Sequence, residues 1–170
     1  MNYRIEQDFL GELKIPHDAY YGVHTARALA NFNLPNYHLT HNYLIQGFAK
    51  VKIAAANANY RTGKINSETC KAIIFACEQI LAGKYLDQFT IPAIQGGAGT
   101  STNMNANEVI ANIALEHLGY EKGRYDILHP INHVNMSQST NDAYPTAIKL
   151  GIYELINEVE RNLKYLRRCL

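Results

Sequence analysis

The feature that most constrains this 170-residue chain lies at its end. From Asp142 onward, Ile148, Ile152, Leu155, Ile156, Val159, Leu163, Leu166 and Leu170 recur largely at steps of three and four. That spacing lines one face of a long helix with apolar side chains, a seam meant for other helices. Its partners are not evident elsewhere in the sequence. Pro145 stands where a first-turn proline is tolerated. No glycine, asparagine or proline closes the pattern at Arg168-Cys169-Leu170, so it predicts either a piece of a longer protein or a helix completed inside a bundle of several chains.

Upstream, the periodicity predicts a mainly α fold. IEQDFLGELKIP reads as two short strands around Gly11 with a turn at Pro16, and YYGVHTARALANF opens a short helix. Leu44, Ile45, Phe48, Val51, Ala54, Ala55 and Ala58 follow helical spacing between Asn42 and Tyr60, and Gly63 supplies a stop. A further helix starts from a cap at Asn66 or Ser67, carries Cys70, Ile73, Ile74, Cys77, Ile80 and Leu81 on one side, and stops at Gly83. Another keeps Ala106, Val109, Ile110 and Ile113 on one face, with His117 partly exposed, and ends at Gly119. The expected organisation is a helical domain with a short β-hairpin over residues 1–138, then the first long helix of a central bundle over 139–170.

Composition excludes several classes. Sixteen basic against fifteen acidic side chains leave no electrostatic footprint for nucleic acid. Three cysteines without a CxxC pair argue against a disulfide framework and read as small core residues. The N-terminus has no signal-peptide h-region and nowhere do eighteen apolar residues follow one another, so a cytoplasmic protein without a membrane partner is expected.

Two polar stretches carry the chemistry. In 96-GGAGTSTNMNANEV-109, glycines let the backbone approach a ligand, and the helix that follows offers free N–H groups and a positive dipole end. Thr100, Ser101 and Thr102 each donate one hydrogen bond and Asn103 two, without a charge among them, which suits a carboxylate that must later leave. A P-loop fails for want of GK[ST], and GxGxxG lacks its third glycine. In 132-NHVNMSQSTNDAYPT-146, Ser137, Ser139, Thr140, Asn141 and Asp142 again precede a helix. Two uncharged donor clusters could hold the two carboxylates of a small diacid; plain helix capping is the competing explanation for each. In 129-HPINH-133, Pro130 breaks the helix that a metal-binding HxxxH needs, so these read as loop histidines and no metal site is expected.

Together YYGVHT at 20–25, GGAGTSTNMNANEV at 96–109 and NHVNMSQSTNDAYPT at 132–146 resemble the aspartate ammonia-lyase branch of the aspartase/fumarase superfamily. Class II fumarases usually show a tryptophan-glycine pair in the first block, GSGTQSNMN in the second, and SQSSND before Phe-Pro in the third. Here Tyr21-Gly22, Thr100-Ser101-Thr102 and Thr140-Asn141-Asp142-Ala143-Tyr144-Pro145 stand instead. The resemblance implies elimination of ammonia from L-aspartate to give fumarate, with no organic cofactor, by a homotetramer built around a central helical bundle; divalent-metal activation of the longer enzyme stays open. It implies substrate contacts at Thr100, Ser101, Ser139, Thr140 and Asn141, beside the donor Asn103. It also implies a second anion site around His129, Asn132 and His133, where Ile131 replaces the asparagine of fumarases.

The chain departs from that family in what it lacks. No GSS occurs in it, so the loop carrying the family's base serine is missing, as is the GRTxLQ-type segment with its histidine. No residue here fills the catalytic role, and these 170 residues alone are expected to be inactive. A class II fumarase fragment and a non-catalytic, oligomerising helical fragment are the alternatives.

Overall fold

The structure, a computed structural model, describes residues 2–33 and 40–169. Strands β1 (Tyr3–Asp8) and β2 (Gly11–Pro16) pair antiparallel in register Tyr3↔Pro16 to Asp8↔Gly11. Gly11, at φ 107, takes the left-handed turn that a side chain resists. Helices α1 (Val23–Asn31), α2 (Asn42–Arg61), α3 (Ser67–Leu81), α4 (Thr100–His117) and α5 (Thr140–Cys169) follow, so the fold is mainly α with one hairpin.

The core gathers where α2, α3 and α4 meet. Phe48, Ile73, Cys77, Ile80, Ile110 and Leu115 are fully buried there; of the stripe expected on α3, Cys70, Ile73, Cys77 and Ile80 are inside, while Ile74 and Leu81 are half-buried. Asn66 caps α3 by accepting the Thr69 N–H at 2.8 Å. Helix α4 is not amphipathic: residues 105–115 are all buried, because α1, α3 and the start of α5 close around it. It also begins inside the first polar stretch rather than after it. Gly97 and Gly99, both at φ 83, make the turn, and Thr100 to Asn103 form the first helical turn.

Three further expectations need correction. On α2 the inward face carries Phe48, Lys52, Ala56 and Asn59, while Ala54 and Ala58 are exposed. Pro145 lies in the second turn of α5, not the first, because the helix starts at Thr140; its missing N–H leaves the Asn141 carbonyl without the usual helical donor. Cys70 and Cys77 are buried, but Cys169 is exposed.

Helix α5 packs on α2 through the portion from Thr140 to Glu158. Ala143, Ala147 and Gly151 are its buried residues. A methyl on Gly47 would overlap the Ala147 carbonyl, and one on Gly151 would lie 3.0 Å from the Tyr43 carbonyl oxygen, so the two helices cross in near backbone contact. Lys50–Glu154 (2.6 Å) and Tyr43–Glu158 (2.7 Å) extend that contact outward. On the face turned away from α2 and past that contact, Ile152, Leu155, Ile156, Val159, Leu163 and Leu166 are exposed; Leu170 falls outside the described residues.

Candidate functional site

The two polar stretches meet. Asn103 Nδ2, in the first turn of α4, donates to Thr140 Oγ1 in the first turn of α5 at 3.1 Å. Gly99 faces the Tyr144 ring so closely that any side chain at that position would run into it. Gly97, Ala98 and Gly99 thus line, with Gln95, Asn141, Tyr144 and Pro145, a surface cavity of about 440 Å³.

Beneath this contact lies a residue that sequence reasoning missed. Lys52 of α2 is fully buried, and its Nζ donates to Asn103 Oδ1 (3.0 Å), Asn135 Oδ1 (2.9 Å) and Gln138 Oε1 (2.9 Å). Burial pushes the Lys52 pKa down to about 7, opposed by the nearby Cys77 and Asp142. The predicted donors are all neutral, yet a lysine sits directly behind them. The signal in the sequence is faint: α2 contains no acidic residue to pair with a surface lysine, and Lys52 continues a Phe48-Ala56-Asn59 stripe.

The other expected residues divide. Thr100 is exposed and Ser101 half-buried at the start of α4, while Thr102 is buried and accepts from Gln95 Nε2. Ser101 opens onto a neighbouring cavity shared with His24 and Arg27. Ser139 caps α5: its Oγ accepts the Asn141 N–H at 3.2 Å while Asp142 accepts the Ser139 N–H at 3.1 Å, a reciprocal capping box. Ser139 therefore has a structural task in addition to the one expected of it. Asn141 is exposed at the rim of the cavity.

Pro130 does not break a helix; residues Pro130–Val134 form one π-helical turn that begins at the proline. His129 Nδ1 accepts the Ile131 and Asn132 N–H groups at 3.0 and 3.3 Å, and His133 Nδ1 accepts the His129 N–H at 2.8 Å. Both rings are thereby fixed as neutral tautomers with the proton on Nε2. Burial lowers both pKa values, and the neighbouring imidazoles of His133 and His24, which oppose a further protonation, lower that of His129 more. His129 and Asn132 line a cavity of about 550 Å³ with His24 and Phe9; His133 does not. Among the described residues no cluster of three or more His, Cys, Asp or Glu is arranged to hold a metal.

The first block, YYGVHT, is explained by a buried carboxylate. Glu108 accepts the N–H groups of Gly22 (2.8 Å), His24 (2.8 Å) and Thr25 (3.1 Å) and the Thr25 hydroxyl (2.6 Å), while Glu6 accepts the Val23 N–H at 2.9 Å. Two acids thus satisfy the opening N–H groups of α1, where a negative charge is also favoured by the helix dipole. Gly22 is required because a Cβ there would sit 2.5 Å from Glu6 Oε2 and 2.6 Å from the Tyr125 hydroxyl.

The mainly helical fold agrees with what comparison with known proteins finds. A family model described as Lyase matches residues 11–170, and the chain belongs to that lyase family. Within it, the chain is similar to aspartate ammonia-lyases. That of Helicobacter pylori J99 is 52% identical over 165 residues, covering 96% of this chain and 35% of the relative. That of Corynebacterium glutamicum is 57% identical, covering 89% and 29%, and that of Escherichia coli K12 is 48% identical, covering 98% and 35%. The chain therefore spans about a third of the length of these curated relatives. Among solved structures, a cobalt-bound fumarate lyase:delta crystallin from Brucella melitensis superposes with a TM-score of 0.93 at 51% identity, covering 96% of this chain and 36% of that one. A class II fumarase from Schistosoma mansoni gives 0.84 at 38% identity, covering 89% and 32%. No helix among the described residues is long and apolar enough to cross a membrane.

Proposed function

We propose that this chain is the carboxylate-holding portion of a lyase that eliminates ammonia from L-aspartate to give fumarate. The observation that carries the reading is the Asn103–Thr140 hydrogen bond, which joins two donor clusters at the starts of α4 and α5. Thr100 and Ser101 face the substrate from one helix start, and Ser139, Thr140 and Asn141 from the other; Asn103, expected among them, is buried behind Thr140 with both Nδ2 hydrogens already given to Asn135 and Thr140. Removal of a weakly acidic β-proton develops a second negative charge on one carboxyl group. Donors already aimed at those oxygens stabilise that charge more than they stabilise the substrate.

The base belongs to a segment outside these 170 residues, so the chain alone produces no fumarate from aspartate. Residues 1–138 form the part that frames the site, and 139–170 begin a helical bundle in a homotetramer working in the cytoplasm. His129, through its neutral Nε2–H, and Asn132 offer a second anion position; His133, expected with them, lies outside that cavity. No organic cofactor is required. The test is a chimera in which this chain replaces the matching third of the E. coli enzyme, to which it is 48% identical over 168 residues. Fumarate formed from L-aspartate and not from malate is the expected result; turnover of malate in preference would move the assignment to a fumarase.

A further inference from the structure

We infer that Lys52 is a positioning residue for the cradle: as a donor-only group at the root of an amide network, it fixes the direction in which Thr140 donates. This rests on the reading that Thr140 faces substrate.

The network has one polarity throughout. An ammonium has three N–H donors and no acceptor, and Lys52 Nζ meets three amide oxygens, on Asn103, Asn135 and Gln138. That match fixes the orientation of all three amides, with oxygens inward and nitrogens outward. Asn135 Nδ2 accordingly donates to the Gln138 carbonyl at 3.1 Å, and Gln138 Nε2 to the Val134 carbonyl at 2.9 Å. Asn103 Nδ2 donates to Asn135 Oδ1 and to Thr140 Oγ1, both at 3.1 Å. Thr140 therefore accepts from behind, and its own hydroxyl proton has no partner among the described residues. It can only be given to an acceptor arriving from outside, such as a carboxylate.

Loss of the Lys52 proton reverses the logic. A neutral amine presents a lone pair to one of three oxygens, a repulsion that turning Asn103 over relieves once Asn135 Oδ1, which accepts from Asn103 Nδ2, moves out of its way. Turned over, Asn103 offers Oδ1 to Thr140, which then spends its proton inward and no longer serves a carboxylate. The switch lies in an accessible range, since burial brings Lys52 down to about 7. The titratable groups facing it are Cys77 from α3 and Asp142 from α5. Burial holds the Cys77 thiol up at about 12, so it stays neutral through this window, and Asp142 is exposed.

The experiment is a nuclear magnetic resonance titration of the 170-residue chain labelled at lysine, asparagine and threonine, from about pH 6 to about pH 9, with and without fumarate as the probe. Fumarate remains a dianion over this range. The Asn103 side-chain amide and the Thr140 resonances should move with the same midpoint as Lys52 Nζ, and fumarate should bind roughly tenfold more weakly above it. Lys52→Arg, which stays protonated, should abolish that loss of affinity. Titration of Lys52 with Asn103 and Thr140 unmoved would overturn the inference, as would fumarate affinity independent of pH in the unaltered chain. The unaltered chain decides the matter even where Lys52→Arg fails to fold. Should fumarate shift no resonance at any pH, the cradle reading fails, and the Asn103 and Thr140 titration alone supports or overturns the role of Lys52.

Discussion

Glu108 Oε2 accepts the Thr25 hydroxyl at 2.6 Å, joining the middle of the most buried helix to the first turn of α1. The same carboxylate takes three backbone N–H groups and donates to nothing, as an ionised acceptor-only group does. Burial pushes its pKa up, while the Thr25 hydroxyl and the Gly22 and His24 amides pull it back. Glu108→Gln puts an amide nitrogen against N–H donors. We expect a loss of about 2–4 kcal/mol in the urea unfolding free energy, because buried donors are left unpartnered.

Gly22→Ala probes the other side of this hub. The added methyl meets Glu6 Oε2, the Tyr125 hydroxyl and the Glu108 carboxyl carbon at 2.5, 2.6 and 2.9 Å, and none of these sits at the end of a free side chain. Overpacking of this kind costs about 1–3 kcal/mol. A lowered thermal midpoint is expected; an unchanged one would mean that the hub yields.

Stability should rise with pH just above neutrality. Lys52 titrates near 7 when folded and near 10.5 when unfolded, so between those values the unfolded state binds the extra proton and folding gains as pH increases. Cys77, raised from 9.0 to about 12, acts oppositely, but only above its unfolded value. Between pH 7 and pH 9 the Lys52 contribution amounts to about 2 kcal/mol. Urea midpoints at several pH values would show it, and Lys52→Met should remove the slope.

The histidine turn predicts a loss on the acid side. His129 and His133 have folded pKa values below the usual 6.5, so as pH falls through 6.5 the unfolded chain is protonated first and stability declines. The decline ends once pH has passed below both folded values. Comparing the unaltered chain with His133→Gln between about pH 7 and about pH 5 isolates this contribution, because most surface carboxylates titrate lower. A shared slope in the two proteins would contradict the assignment of His133 Nδ1 as an acceptor.

Local signals carried much of the fold. The α2 and α3 boundaries follow from Gly63, Asn66 and Gly83, and the hairpin from Gly11, because turns and caps are decided by neighbouring residues. The exposed seam of α5 was equally legible, since its apolar period is set within one helix. What escaped depends on contacts between distant segments. Nothing local singles out Lys52 before Asn103, Asn135 and Gln138 are folded around it, and α4 reads as one-faced until three other helices close on it. The donor content of the two polar loops was visible, but the Asn103–Thr140 bond spans 37 positions and no local pattern announces it.

The claim on which the rest depends is that α4 and α5 open into one cradle. Its most direct test is Thr140→Val in the chimera with the E. coli enzyme, which keeps the shape and removes the hydroxyl. We predict that kcat/KM for L-aspartate falls on the order of a hundredfold while the melting temperature changes little. An undiminished kcat/KM would contradict the claim and leave Thr140 as no more than the first residue of a helix.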